Sequence, residues 1–154
     1  MESEPRAQGW GGPGFRLKPV ASGTVLHRAS RSFVMSGKRV LVVEDEAAIA
    51  RLVALIVTQM GCEVDTASNG AEALLKIAQQ KPDLVIVDLI MPVMTGEELI
   101  QELQGDPAHA DIPIVLLSTR QSARGYKRDD FPIIAKPFQP ETVREMVRGA
   151  LGLT

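Results

Sequence analysis

The chain has 154 residues, a formal net charge of −2 and one cysteine, Cys62. That length suits one domain with a core of ordinary size, and the charge argues against general nucleic-acid binding. A lone thiol forms no internal disulfide, which fits a cytoplasmic setting, and no apolar run approaches the roughly 18 residues of a membrane span.

The net charge hides an asymmetry. Residues 1 to 34 hold Arg6, Arg16, Lys18, Arg28 and Arg31 against Glu2 and Glu4, so the remainder is acidic. Residues 1–37 also stand apart in composition, with Gly9-Trp10-Gly11-Gly12-Pro13-Gly14 followed by scattered Arg, Ser and Lys. They show neither helical nor strand period and lack the apolar run of a signal peptide. Such a segment cannot offset its ordering entropy, so 1–37 is expected to be a disordered extension. Met35-Ser36-Gly37-Lys38 reads as a natural translation start, leaving the extension either mis-assigned upstream sequence or a flexible arm. The folded domain is expected over 38–152.

Arg39 to Val43 is a short apolar run, a strand buried on both faces that ends in Glu44, Asp45 and Glu46. Ala47 to Met60 follows at helical period, with Ile49, Leu52, Val53 and Ile56 predicted to face inward, and Gly61 stops it. Cys62 to Ala67 reads as an edge strand, with Cys62 a small packing residue. Asn69 can cap a helix over Ala71 to Gln80 that turns Ala73, Leu74 and Ile77 inward. Leu84-Val85-Ile86-Val87 is the central buried strand, and it ends in Asp88. Thr95 to Gln104 forms the next helix, with Leu99, Ile100 and Leu103 inward. A fourth strand, Pro113 to Leu117, ends at Ser118, and a fifth, Phe131 to Ala135, ends at Lys136. Between them Gln121 to Arg128 has room for only about two helical turns. Pro140 opens a last helix through Leu151, with Val143, Met146, Val147 and Leu151 inward.

Strands alternating with helices predict an α/β fold, a doubly wound five-stranded parallel sheet with right-handed crossovers. Those crossovers carry Glu44, Asp45, Asp88, Ser118 and Lys136 to one edge of the sheet, where chemistry collects in open α/β sheets. Carboxylates at ~4 Å repel by roughly 4 kcal/mol per pair at an effective dielectric near 20. Either their pKa values rise or a cation sits among them, and hard oxygen donors completed by water suit Mg²⁺. Lys136 and Ser118 add an ammonium and a hydroxyl, which makes a phosphoryl-binding constellation. A carboxylate free of other duties can then act as nucleophile and form an acyl phosphate.

At this point the chain resembles the receiver domain of bacterial two-component response regulators. The resemblance rests on Val42-Val43-Glu44-Asp45-Glu46, Val87 to Gly96, Leu117-Ser118-Thr119 and Ile134-Ala135-Lys136-Pro137-Phe138, in order and at the right strand ends. It implies a flavodoxin-like sheet of order 2-1-3-4-5 and Asp88 as acceptor of a phosphoryl group from a histidine kinase or phosphotransfer protein. Asp45, Asp88 and the carbonyl of Ile90 would hold Mg²⁺, with Glu44 assisting through water. Lys136 would pair with the phosphoryl oxygens, Ser118 would move to hydrogen-bond one of them, and the Lys136–Pro137 bond would be cis. Only a final helix fits after Phe138, so a single-domain regulator is expected, acting through a partner protein or onward transfer.

Three positions depart from the family pattern. Ile133 stands where receivers carry Tyr or Phe as a rotamer switch, the fourth helix is shortened, and Thr119 replaces a small Ala or Gly beside the site. Each site residue also has a plainer reading. Asp88 could be a helix-initiating loop residue, Asp45 the N-cap of the first helix, Ser118 a loop hydroxyl and Lys136 a solvated lysine. His27 and His109 sit in no pattern of a phospho-donor or metal ligand. An Asp-nucleophile phosphatase of haloacid dehalogenase type is the alternative enzyme, but it wants a second Asp where this chain has Ile90. A flavodoxin-type electron carrier would set Glu44-Asp45-Glu46 against a flavin phosphate, and a receiver without phosphorylation would not need the full acidic set.

Overall fold

The computed structural model describes residues 37–119, 121–124 and 131–152, so the expected disordered extension lies outside the described residues but for Gly37. Among the described residues the elements run β1 (Arg39–Val43), α1 (Ala47–Gln59), β2 (Glu63–Ala67), α2 (Gly70–Gln79) and β3 (Leu84–Val87). They continue with α3 (Gly96–Gln104), β4 (Ile114–Thr119), β5 (Ile133–Lys136) and α4 (Pro140–Ala150). The five strands pair in the order β2-β1-β3-β4-β5, all parallel. This is the doubly wound parallel sheet the alternating pattern predicts, in the flavodoxin-like order the resemblance implies.

The apolar runs without polar alternation are explained by burial on two sides. Val40 and Val42 of β1 join Leu84 and Ile86 of β3 beneath α1 and α4. Leu41, Val43, Val85 and Val87 point the other way, onto α2 and α3. Each such side chain contributes about 1.5–3 kcal/mol by leaving water. Asn69 caps α2 by accepting the Glu72 N–H at 2.9 Å. Thr95 and Glu98 form a reciprocal capping box at the start of α3.

One local expectation is corrected. Leu52 is 45% exposed, and the inward face of α1 is Ala50, Val53, Ile56 and Val57. A helix whose one charged residue is Arg51 offers two apolar stripes, and the packed one lies a step round from that expected. Glu46 occupies the N-cap of α1, without a side-chain cap bond, so the plainer reading of Asp45 as that cap does not hold. Between β4 and β5, Gln121–Arg124 form a turn, and residues 125–128, on which the rest of the expected short fourth helix would fall, lie outside the described residues. Strand ends shift by one or two residues, with β4 running on to Thr119 and β5 starting at Ile133. Among the described residues no helix is long and apolar enough to cross a membrane.

Candidate phosphoryl and metal site

Backbone pairing carries past the ends of the central strands. The Glu44 N–H donates to the Ala67 carbonyl and the Asp88 N–H to the Val43 carbonyl, each at 2.9 Å. These bonds seat Glu44 and Asp88 side by side at the sheet edge, both buried. Asp45, one residue further on, is exposed. Glu44, Asp45 and Asp88 each present a carboxylate oxygen, and the three lie within 4.8 Å of one another.

The register of β4 and β5 places Thr119 opposite Lys136, so the last residue of β5 reaches the same edge. Lys136 Nζ lies 2.8 Å from Glu44 Oε1, 3.0 Å from Asp88 Oδ2 and 4.0 Å from Glu46 Oε1. Glu44 Oε2 also accepts the Glu46 N–H at 3.0 Å. Burial pushes the Glu44 carboxyl up to about 7, against the pull of Lys136 and that N–H. Burial alone would lower the Lys136 ammonium, but its bonds to Glu44 and Asp88 outweigh this and raise its pKa. One ammonium thus lies among Glu44, Asp88 and Glu46, beside Asp45, and the excess of hard oxygen donors is a chemistry that suits a small divalent cation.

Ser118 is buried in β4, and its Oγ has no hydrogen-bond partner. Ile90 donates its N–H to Asp88 Oδ1 at 3.1 Å and turns its side chain to solvent. Ile133 opens β5 opposite Leu116 and packs against the core under α2 and α3. The Lys136–Pro137 bond is cis. The structure thus brings Glu44, Asp45, Asp88 and Lys136 together, with the Ile90 N–H on the Asp88 carboxylate. It leaves Ser118 unpartnered and Ile133 back in the core.

Three supporting residues escaped sequence reading, and Thr119 was noted only for its size beside the site. An ideal Cβ on Gly96 would fall 2.1 Å from the Asp88 carbonyl oxygen, so only glycine lets α3 start there. Val93, at φ 70°, is the centre of a γ-turn closed by the Met94 N–H to the Pro92 carbonyl at 2.8 Å. A β-branched residue in that region is an outlier held by its surroundings. Met94 supplies part of the hold, since its carbonyl accepts the Gly70 N–H at 3.1 Å and its side chain covers Gly70. Thr119 caps the turn after β4 through Ser122. Only glycine at 96 left a signal, and it reads equally well as an ordinary helix start.

A five-stranded doubly wound sheet with acids and a lysine converging at its carboxyl edge defines a receiver. The family model of the response regulator receiver domain matches residues 40–148, and the chain belongs to that family. It is 38% identical over 112 residues to the chemotaxis protein CheY of Thermotoga maritima, covering 71% of this chain and 93% of that protein. It is 32% identical over 124 residues to the phosphate regulon transcriptional regulatory protein PhoB of Pseudomonas aeruginosa, covering 78% and 54%. The solved structure of response regulator TrrA from Thermotoga maritima, in complex with Mg(2+)-BeF, superposes with a TM-score of 0.66. That match has 34% identity and covers 74% of this chain and 99% of the other. The chain spans about half the length of the first curated relatives it matches. The haloacid dehalogenase alternative finds no support, since the family match and these relatives are regulators and the position two after Asp88 is an exposed isoleucine.

Proposed function

We propose that Asp88 accepts a phosphoryl group from a phosphohistidine on a histidine kinase or phosphotransfer protein, in a cytoplasmic Mg²⁺-dependent relay. The observation that carries this is the buried Asp88 carboxylate, 3.0 Å from Lys136 Nζ and within 4.8 Å of two more carboxylates. An Asp88 oxygen attacks phosphorus, the P–N bond breaks, and its electron pair returns to the imidazole nitrogen of the donor. Lys136 faces the charge that grows on the phosphoryl oxygens, and the Ile90 N–H steadies the other Asp88 oxygen. Glu44, Asp45, Asp88 and the Ile90 carbonyl would hold Mg²⁺, which when bound neutralises the incoming phosphoryl oxygens. The reading assigns the chain no turnover beyond its own phosphorylation and dephosphorylation, and assigns the receiver to residues 38–152. The donor docks beside the site on α1, where Leu52 and Leu55 are exposed and Arg51 is the one charge. That nucleic acid is no partner rests on the net charge of the chain alone.

Incubation with acetyl phosphate and Mg²⁺ is expected to add one phosphoryl group, read as a mass shift. EDTA and Asp88→Asn should each abolish it, while undiminished labelling of Asp88→Asn would overturn the assignment.

The response on the face of β5 and α4 should be small. Isoleucine is stiff at χ1 and has no ring to swing between core and solvent, and Ile133 is packed against the core. Beryllofluoride with Mg²⁺ should shift backbone amides near Asp88 and Ser118 and leave Ile133, Ile134 and Val143 to Val147 nearly unmoved. Large shifts through those residues would show a full switch.

A further inference from the structure

We infer that Thr119 is a positioning residue, whose hydroxyl latches the turn after β4 and thereby holds Ser118 where its own hydroxyl has no partner. The inference rests on the phosphoacceptor reading above. A buried hydroxyl without a hydrogen bond is unfavourable, and such a state persists only where its surroundings impose it. Ser118 Oγ is in that state, fully buried and bonded to neither Asp88 nor Lys136.

The next residue shows what imposes it. Thr119 Oγ1 accepts the Ser122 N–H at 3.1 Å and donates to Ser122 Oγ at 2.9 Å. Its carbonyl accepts the Ala123 N–H at 3.0 Å, and Ala123 is itself buried. On the strand side Thr119 pairs with Lys136 and Ser118 with Ala135. Thr119 is therefore tied to β5 on one side and capped on the other onto a turn anchored in the core by Ala123. A displacement of the Ser118 backbone toward a phosphoryl group on Asp88 carries Thr119 with it and opens the Thr119–Ser122 bonds. A methyl side chain at 119 would leave the strand pairing intact and the turn free to follow. The hydroxyl pair thus favours the unmodified state, and a modification shifts the equilibrium only by its differential contacts with the two states.

The test is beryllofluoride affinity in the presence of Mg²⁺, measured on the full 154-residue chain. Removing a Thr cap changes an equilibrium by roughly 3- to 10-fold, so Thr119→Ala should bind beryllofluoride tighter by that factor. Thr119→Ser should restore the affinity of the unaltered chain. Ser122→Ala, which keeps the N–H cap and loses the hydroxyl pair, should give a smaller gain in the same direction. In a Ser118→Ala background, Thr119→Ala should bring no further gain, which separates a role through Ser118 from general loosening of the turn. Equal or weaker binding by Thr119→Ala, or a gain that survives Ser118→Ala, overturns the latch while leaving the acceptor role standing. Failure of the unaltered chain to take up either beryllofluoride or a phosphoryl group overturns both.

Discussion

Gly96→Ala is expected to lower the unfolding free energy by about 3 kcal/mol or more. The added Cβ would lie 2.1 Å from the Asp88 oxygen and 2.8 Å from both the Asp88 carbonyl carbon and Leu89 Cα. All three are backbone atoms, so no side-chain end can swing aside. Relief requires α3 to draw back from β3, which breaks the 3.0 Å bond from the Gly96 N–H to the Leu89 carbonyl. For a domain of this size the melting temperature should fall by roughly 10 °C. Gly149→Ala is the control, because nothing lies within 4 Å of its Cβ and it sits within α4. It should be neutral or stabilising by up to about 1 kcal/mol. Urea unfolding of both variants decides the matter, and a Gly96→Ala chain as stable as the parent would refute the close approach.

Lys136→Met is expected to destabilise the chain by about 3 kcal/mol when no divalent cation is present. The ammonium is the shared partner of Glu44 and Asp88, whose side chains are 0% and 8% exposed. A methionine fills the volume and leaves two buried carboxylates facing each other. The loss stays at the low end because a carboxylate so placed can take up a proton. Millimolar Mg²⁺ should recover more stability in Lys136→Met than in the parent, since the cation then answers both the missing ammonium and the excess acid. Urea unfolding with and without Mg²⁺ measures both effects. Equal stability of variant and parent would mean that the pair contributes nothing to the fold.

The five parallel strands and the meeting of Glu44, Asp88 and Lys136 at one edge were legible, because buried parallel strands leave unbroken apolar runs that end where polarity begins, while the order of the strands came only with the family resemblance. The cap at Asn69 was legible too, being a local hydrogen bond written into four residues. Leu52 misled because periodicity needs contrast, and α1 is apolar on both its packed and its open stripe. Gly96 against Asp88, Met94 over Gly70 and Thr119 with Ser122 are approaches between neighbouring turns. No composition or period encodes them, so they appear only with the coordinates.

The contact between Gly96 and Asp88 also governs the length of the chain between them. Leu89 bonds back to Gly96, Pro92 to Met94, and Met94 across to Gly70, so the segment is a closed circuit fastened at every few residues. Such a circuit tolerates exchanges at its outward tips, Ile90 and Val93, but not a change in count. One inserted residue would rotate every later member out of register with its anchor, and a deletion would pull the Asp88 carboxylate off its strand end. The turn over Asp106 to Ile112 has no such closure to the site, its backbone bonds running among its own members and to Leu103. Inserted sequence belongs on its exposed residues, away from Asp88, where lengthening the chain leaves that circuit untouched.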